Sequence, residues 1–121
     1  MKIRDEYTCP LEIVHDIIKG KWKTILVFEL RQSNKTFSEL EHSILGINQK
    51  MLIQQLKELH EFGIVDKISS ASYPLHVEYF LTDRGKKMLK AVEIMQEIGI
   101  EYMLENGQQG VLDSKGICYN K

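Results

Sequence analysis

Residues 37–65 read FSELEHSILGINQKMLIQQLKELHEFGIV, and the stretch writes out both ends of a helix. Asn48 is a good N-cap, because its short side chain accepts from the free backbone N–H groups of a first turn. Ile47 just outside and Leu52 inside are spaced to close as a hydrophobic staple. Gly63 stands where a left-handed residue ends a helix, and Ile64 beyond it can pack back on Leu59. The spacing predicts one helix over residues 48–62. At 100° per residue, Leu52, Gln55, Leu56 and Leu59 share one side, which reads as core. Lys50, Gln54, Lys57 and Glu61 share the other, with Gln49 and Ile53 on a flank. The first three turns hold two Lys and three Gln, with no acid before Glu58. Long donor-bearing side chains in that place suit phosphates and base edges, and they equally suit a solvated surface.

Upstream, residues 37–44 predict a short helix with Leu40 and Ile44 facing inward. Its capping box is either Thr36 with Glu39 or Ser38 with Glu41. Leu45, Gly46 and Ile47 then make a tight turn. Short helix, Gly turn and longer helix is the helix-turn-helix pattern. Downstream, residues 64–69 and 76–81 read as two strands around the polar loop of residues 70–75. A hairpin directly after the longer helix is a wing. The expected fold is therefore a winged helix-turn-helix, mainly α with a small β-hairpin (α+β).

The flanks complete one domain over residues 9–106, between a flexible arm at 1–8 and a flexible tail at 107–121 that shows no periodicity. Pro10 opens a first helix at the position where its missing N–H costs nothing, with Leu11, Val14, Ile17 and Ile18 as its apolar stripe. Lys19, Gly20 and Lys21 break it. Residues 22–31 are apolar on nearly every side, which predicts a central, buried helix. Thr82 can cap a long last helix from Asp83 to about Glu105. Met88, Val92, Met95, Ile98 and Tyr102 give that helix more apolar surface than a peripheral helix needs. Its partner is either the first helix of the same chain or, the better explanation, a second subunit. The expected homodimer seam comprises Leu11, Val14, Met88, Val92, Met95, Ile98 and Tyr102, and a C2 dimer would supply two reading helices.

The chain of 121 residues suffices for one core. Its longest aliphatic and aromatic run, Ile25 to Phe28, is far too short to span a bilayer, and its first residues lack a signal-peptide core. Both features predict a cytoplasmic protein with no membrane partner. The net charge of −1 argues mildly against nucleic acid. Its distribution softens this: residues 1–90 carry 14 basic against 12 acidic side chains, and residues 91–121 carry 2 against 5. His15, His42, His60 and His76 are scattered, and Cys9 and Cys118 lie far apart, so no metal motif or disulfide framework emerges. No nucleophile motif, phosphate-binding Gly loop or carboxylate pair appears. The chain reads as a non-enzyme with no cofactor.

Several short motifs follow in order: Cys9-Pro10, Gly20-Lys21-Trp22, Phe37 to Leu40, Gly46-Ile47, Lys50 to Leu52, Gln55-Leu56, Gly63 to Val65, Val77 to Tyr79, and Leu81-Thr82 with Gly85. With them the chain resembles the HxlR-type winged helix-turn-helix regulators of bacteria, a branch close to the MarR regulators, over about residues 7–103. The resemblance implies a homodimeric transcription factor on operator DNA, joined through its N- and C-terminal helices. It also implies that some relatives use the cysteine at the position of Cys9 to sense oxidants or thiol-reactive compounds. One departure is the wing tip, residues 69–76, which has a single Pro and no Arg where many relatives carry more of both.

Candidate contacts with double-stranded operator DNA follow from this fold. Asn48 opens the reading helix; Gln49, Lys50, Ile53 and Gln54 would enter the major groove, with Gln suited to adenine and Ile53 to a thymine methyl. Lys57 would hold phosphate, and Ser38 could do so with the first turn of its helix. Lys67, Ser70, Ser72 and His76 are wing candidates. Lys21 and Lys23 are phosphate contacts or a solvated turn, and Lys86, Lys87 and Lys90 are further basic candidates. Cys9 at a helix N-cap feels the positive end of the helix dipole, which favours thiolate, with Arg4 as a further influence. The alternative is a small buried residue at the dimer seam. Cys118 is either a resolving thiol or incidental. Three signals or roles stay open: an oxidant at Cys9, a small apolar ligand among the Met residues, Phe28, Tyr79 and Tyr102, or a protein-binding module whose support is Glu58 and Glu61.

Overall fold

The computed structural model describes residues 3–70 and 76–119. In chain order the elements are α1 (Pro10–Ile18), α2 (Lys23–Glu29), β1 (Lys35–Thr36), α3 (Phe37–Ser43), α4 (Gln49–Glu61), β2 (Val65–Ser69), β3 (Val77–Leu81), α5 (Asp83–Glu105) and α6 (Gln109–Ser114). The winged helix-turn-helix is present, mostly helical with one small sheet. That sheet has three antiparallel strands in the order β1-β3-β2, one more than the hairpin alone. Val65 faces Leu81 and Ser69 faces Val77 across the hairpin, while Lys35 faces Tyr79 on the other edge. A two-residue strand has no alternation to read, which is why β1 leaves no mark in the sequence.

Helix α2 is shorter than the expected 22–31, and it is central as expected. Leu26 and Val27 are fully buried, and around them pack Leu40 of α3, Leu52, Leu56 and Leu59 of α4, and Val92 of α5. Trp22 is the N-cap of α2, and Leu30 with Arg31 bond back to the last carbonyls of the helix.

The end of α4 is stitched to the start of α5. Gly63, at φ 73°, donates to the carbonyl of His60 at 3.1 Å, and Ile64 donates to Leu59 at 2.9 Å. Those two bonds close a Schellman turn and bury Ile64 beside Leu59. Thr82 then does two jobs. Its hydroxyl donates to the Gly63 carbonyl at 2.5 Å, and it caps α5 by accepting from the Gly85 N–H at 3.1 Å. Arg84 adds a bond to the Phe62 carbonyl at 3.1 Å. A Cβ on Gly85 would stand 2.1 Å from the Ile64 carbonyl oxygen, so only glycine lets these two segments meet there.

Several residues sit elsewhere than expected. In α1 the buried face is Ile17, with Ile13 and Ile18 partly covered, whereas Leu11 and Val14 are exposed. In α5, Val92 is buried in the core, out of reach of a second subunit, and Met88 is partly buried against that core. The reason is register: Met88, Leu89 and Val92 lie on the half of α5 that covers α2. Within the arm expected to be flexible, Arg4 and Tyr7 make contacts with α1. Arg4 and the Tyr7 hydroxyl both bond Asp16, at 3.0 and 2.8 Å, and Arg4 stacks on the Tyr7 ring. The Tyr7 hydroxyl, with help from Arg4, holds the Asp16 carboxyl below its ordinary pKa. Beyond α5, where the sequence shows no periodicity, α6 folds back and buries Leu112. Both helices end in the same closure as α4, with Gln108 bonded to Met103 and Ile117 to Leu112.

Candidate nucleic-acid interface

Helix α4 has two unlike faces. Leu52, Leu56 and Leu59 are buried, while Gln49, Lys50, Ile53, Gln54, Lys57 and Glu61 are exposed. Asn48 accepts from the Met51 N–H at 2.8 Å, which holds its side-chain oxygen at the cap. The first turn of α4 contains no acid. Ile53 is an apolar side chain 54% exposed among polar neighbours. No packing reason within the protomer explains it, and a thymine methyl is the kind of surface it fits.

Two residues expected on the surface are withdrawn from it. Lys23 is 3% exposed and Glu58 8% exposed, and they form a buried ion pair with Nζ 3.3 Å from Oε1. The second carboxylate oxygen of Glu58 accepts from the Gln54 amide at 3.0 Å. Burial opposes the ionised form of Glu58, yet the Gln54 amide and the Lys23 ammonium outweigh it and hold its pKa below the ordinary value. Lys23 is therefore no phosphate contact, and Glu58 is no part of an acidic surface. Lys21 stays exposed, its ammonium 4.5 Å from the centre of the Trp22 ring. The link between Lys23 and Glu58 spans 35 positions, and nothing local in the sequence announces it; only the Gln54–Glu58 contact follows from spacing, at i,i+4 on one helix.

At α3, Thr36 with Glu39 makes the capping box, which settles the alternative. Glu39 donates its N–H to the Thr36 hydroxyl at 3.2 Å, and its carboxylate accepts from the Thr36 N–H at 2.9 Å. That backbone bond and the Thr36 hydroxyl hold Glu39 below its ordinary pKa. Ser38 is exposed on the same first turn, beside a carboxylate that already occupies the helix N-terminus.

On the wing, Lys67 is exposed on β2. Ser70 closes the root of the wing: its N–H donates to the His76 carbonyl at 2.8 Å, and its hydroxyl accepts from the His76 N–H at 3.2 Å. The His76 ring lies 2.7 Å from the Glu78 carboxylate. Ser72 lies outside the described residues. Lys86, Lys87 and Lys90 are exposed on α5.

Cys9 is the N-cap of α1, with an extended backbone; its carbonyl accepts from Glu12, and its side chain makes no capping bond. The thiol is exposed, as is that of Cys118, and both are free. Arg4 is engaged with Asp16, Glu12 and Tyr7. Leu11, Val14, Met95, Ile98 and Tyr102 are all exposed, and Ile94 joins them. Of the aromatics considered for a ligand pocket, Phe28 and Tyr79 are partly buried against the core while Tyr102 is exposed on α5. Among the described residues no cluster of potential metal ligands occurs, and no helix is long and apolar enough to cross a membrane.

The sequence profile of HxlR-like helix-turn-helix proteins matches residues 17–107. An HTH-type transcriptional regulator of Methanothermobacter thermautotrophicus is 35% identical over 98 residues, covering 81% of this chain and 75% of that protein. Among solved structures, a Porphyromonas gingivalis W83 protein assigned to the MarR family of transcriptional regulators superposes with a TM-score of 0.74 at 36% identity, covering 84% of this chain and 98% of that one. The redox regulator HypR in its oxidised form superposes with a TM-score of 0.73 at 39% identity, covering 77% of this chain and 96% of that one.

Proposed function

The chain belongs to the HxlR-like helix-turn-helix family of DNA-binding transcriptional regulators, and from that premise we propose that it acts as a homodimer on a near-palindromic operator, with α4 of each protomer in the major groove. One observation carries the reading: the exposed face of α4 combines Gln49, Lys50, Ile53, Gln54 and Lys57 with an acid-free first turn. Gln and Ile side chains address base edges and methyl groups, and the Lys side chains address phosphate. Lys67, Ser70 and His76 at the wing, and Ser38 on α3, lie on the elements that flank such a groove. The family's chemistry is regulatory, and no enzymatic role is assigned.

Leu11 and Val14 of α1 with Met95, Ile98 and Tyr102 of α5 supply the dimer seam. Each is an exposed apolar side chain on one of the two terminal helices. Two readers would then sit about 34–36 Å apart, one duplex turn. Exposure of Glu61 alone, once Glu58 is buried, leaves a protein-binding reading of α4 with little acidic surface to stand on.

The signal we assign is oxidation or alkylation of Cys9. Its thiol is exposed at the start of α1, two residues before the seam residue Leu11, and the similarity to a redox regulator supports the assignment. A peroxide would take the thiolate to sulfenic acid, forming S–O as O–O breaks and hydroxide leaves.

The test is binding of the purified protein to its own upstream DNA at two salt concentrations, with and without oxidant, for wild type and Cys9→Ser. The expected result is an affinity that falls steeply with salt, by a log–log slope of about 0.9 per neutralised phosphate, and an oxidant response confined to wild type. Oxidant-insensitive binding would make Cys9 structural. Salt-insensitive binding would overturn the operator reading itself.

A further inference from the structure

A chain of polar side chains runs from the buried α2 to the exposed face of α4. Lys23 Nζ reaches Glu58 Oε1 at 3.3 Å, and Gln54 Nε2 reaches Glu58 Oε2 at 3.0 Å. Burying an ion pair brings little net stability over well-packed apolar side chains of the same volume. The pair does, however, fix something. An i,i+4 contact between Gln and an exposed Glu would be loose, but here Glu58 is itself held from a second helix.

A carboxylate can only accept, so the group of Gln54 that meets Glu58 must be its NH2 and not its carbonyl. The ammonium of Lys23 keeps Glu58 in that accepting state. One of the two amide N–H bonds is thereby used inside the protein. What Gln54 shows outward is one remaining N–H beside one carbonyl oxygen.

We propose that Lys23 and Glu58 are positioning residues that fix which way the Gln54 amide faces, so that the reading helix favours adenine over guanine at the base Gln54 meets; this rests on the operator-binding reading above. The major-groove edge of adenine offers N7 as acceptor and N6–H as donor, which a locked amide matches one to one. Guanine offers two acceptors, N7 and O6. A free amide can turn its NH2 toward them, whereas a locked one sets its carbonyl oxygen against O6. Lys23 and Glu58 would thus set specificity without touching DNA.

The experiment is selection from a random duplex pool with the full chain: wild type, the pair Lys23→Met with Glu58→Met, the single change Glu58→Gln, and Gln54→Ala. Thermal melts establish which variants fold. Glu58→Gln preserves size and keeps the test open where the Met pair does not fold. Wild type is expected to prefer adenine over guanine by about tenfold or more at one position per half-site, the scale of a good bidentate pair. With the Met pair that ratio should fall to about twofold, and with Glu58→Gln, whose oxygen stays on Lys23 and whose NH2 then faces Gln54, to about twofold or below, while other positions keep their ranking; adding Gln54→Ala to the Met pair should change that position no further. An unchanged ratio in the folded Glu58 variants overturns the proposal, as does a loss spread evenly over the site, which would make the pair a scaffold for α4. A wild-type motif with no adenine preference at the position that Gln54→Ala alters also overturns it alone. Enrichment of no duplex by wild type would instead remove the operator reading, and this inference with it.

Discussion

Helices α4 and α5 are both amphipathic, both capped by a side-chain oxygen at the first turn, and both closed by a Schellman turn. They differ in what they leave in water. The outer face of α4 is mostly Gln, Lys and Glu61, with Met51 and Ile53 as its exposed apolar side chains, and its inner face is spent on the core. The second half of α5 exposes Ile94, Met95, Ile98 and Tyr102 beside Glu93, Glu97 and Glu101, and no described residue covers the apolar four. A polar outer face is complete as it stands, whereas a row of exposed apolar side chains marks a surface that associates. On the function proposed above, one helix is the part that meets DNA and the other the part that meets a second copy. The boundary within α5 lies near Val92, the last residue of that helix in the core.

The sharpest way to break the contrast is at the joint between the two helices. Gly85→Ala puts a Cβ 2.1 Å from the Ile64 carbonyl oxygen and 3.2 Å from the Leu81 Cβ, and both obstacles are held by the sheet and the α4 turn. The expected loss is about 3 kcal/mol or more, the upper range for overpacking, read from the midpoint of chemical denaturation. An unchanged midpoint would show that the first half of α5 is free to slide, and the division of α5 into a core half and an outer half would go with it. Ile98→Glu comes next and should act on the other half alone. The protomer should melt within a few degrees of wild type, while light scattering reports a dimer dissociation constant raised by about 100-fold or more, since each copy would bury an unpaired carboxylate. A melting temperature that collapses instead would place Ile98 in a protomer core that the structure does not show.

The same contrast explains what could be read from the chain alone. Everything about α4 was local: the Asn48 cap, the staple of Ile47 and Leu52, and the Gly63-Ile64 stop all fall within a few residues of the helix they define. The apolar stripe of α5 was equally visible, but periodicity says only that a face is covered and not by what. Met88 and Val92 share that stripe with Met95, Ile98 and Tyr102, yet Val92 is buried and Met88 partly buried at the core while the other three are exposed. Lys23 among Lys19 to Lys23 looks like one more cation of a basic turn, because its partner Glu58 is brought to it by tertiary packing. Helix α6 did leave a signal. Gly116 followed by Ile117 repeats the Gly63-Ile64 stop, and Leu112 sits where Leu59 does relative to it.

A smaller test sharpens the local side of the comparison. Asn48→Ala removes the acceptor of the Met51 N–H and should cost about 1 kcal/mol. Asn48→Ser should restore most of it, since a hydroxyl caps as well. Both variants leave α5 untouched, so their dimer dissociation constants should equal that of wild type. A dimer weakened by Asn48→Ala would mean that α4 and the seam are coupled, against the separation drawn above.

The smallest effect is the most specific to α4. Lys50 stands in a first turn without a single acid, where a cation opposes the helix dipole and an anion would be favoured. The dipole favours an acid there, as in the first turns of α5 with Asp83 and α3 with Glu39, although α2 and α6 also start without one. Keeping Lys50 therefore costs the fold a little, which makes sense where phosphate arrives to complete the site. Lys50→Ala should raise stability by about 0.3–0.5 kcal/mol, through the relieved dipole and the better helix former. The same change should weaken binding to every duplex and lower the salt slope by about 0.9 per protomer for each phosphate contact removed. The two readouts move in opposite directions only when the residue is retained for a ligand. A Lys50→Ala protein that is less stable and binds DNA as before would return this face of α4 to ordinary solvated surface, and α5 would then be the sole half of the comparison with a partner to meet.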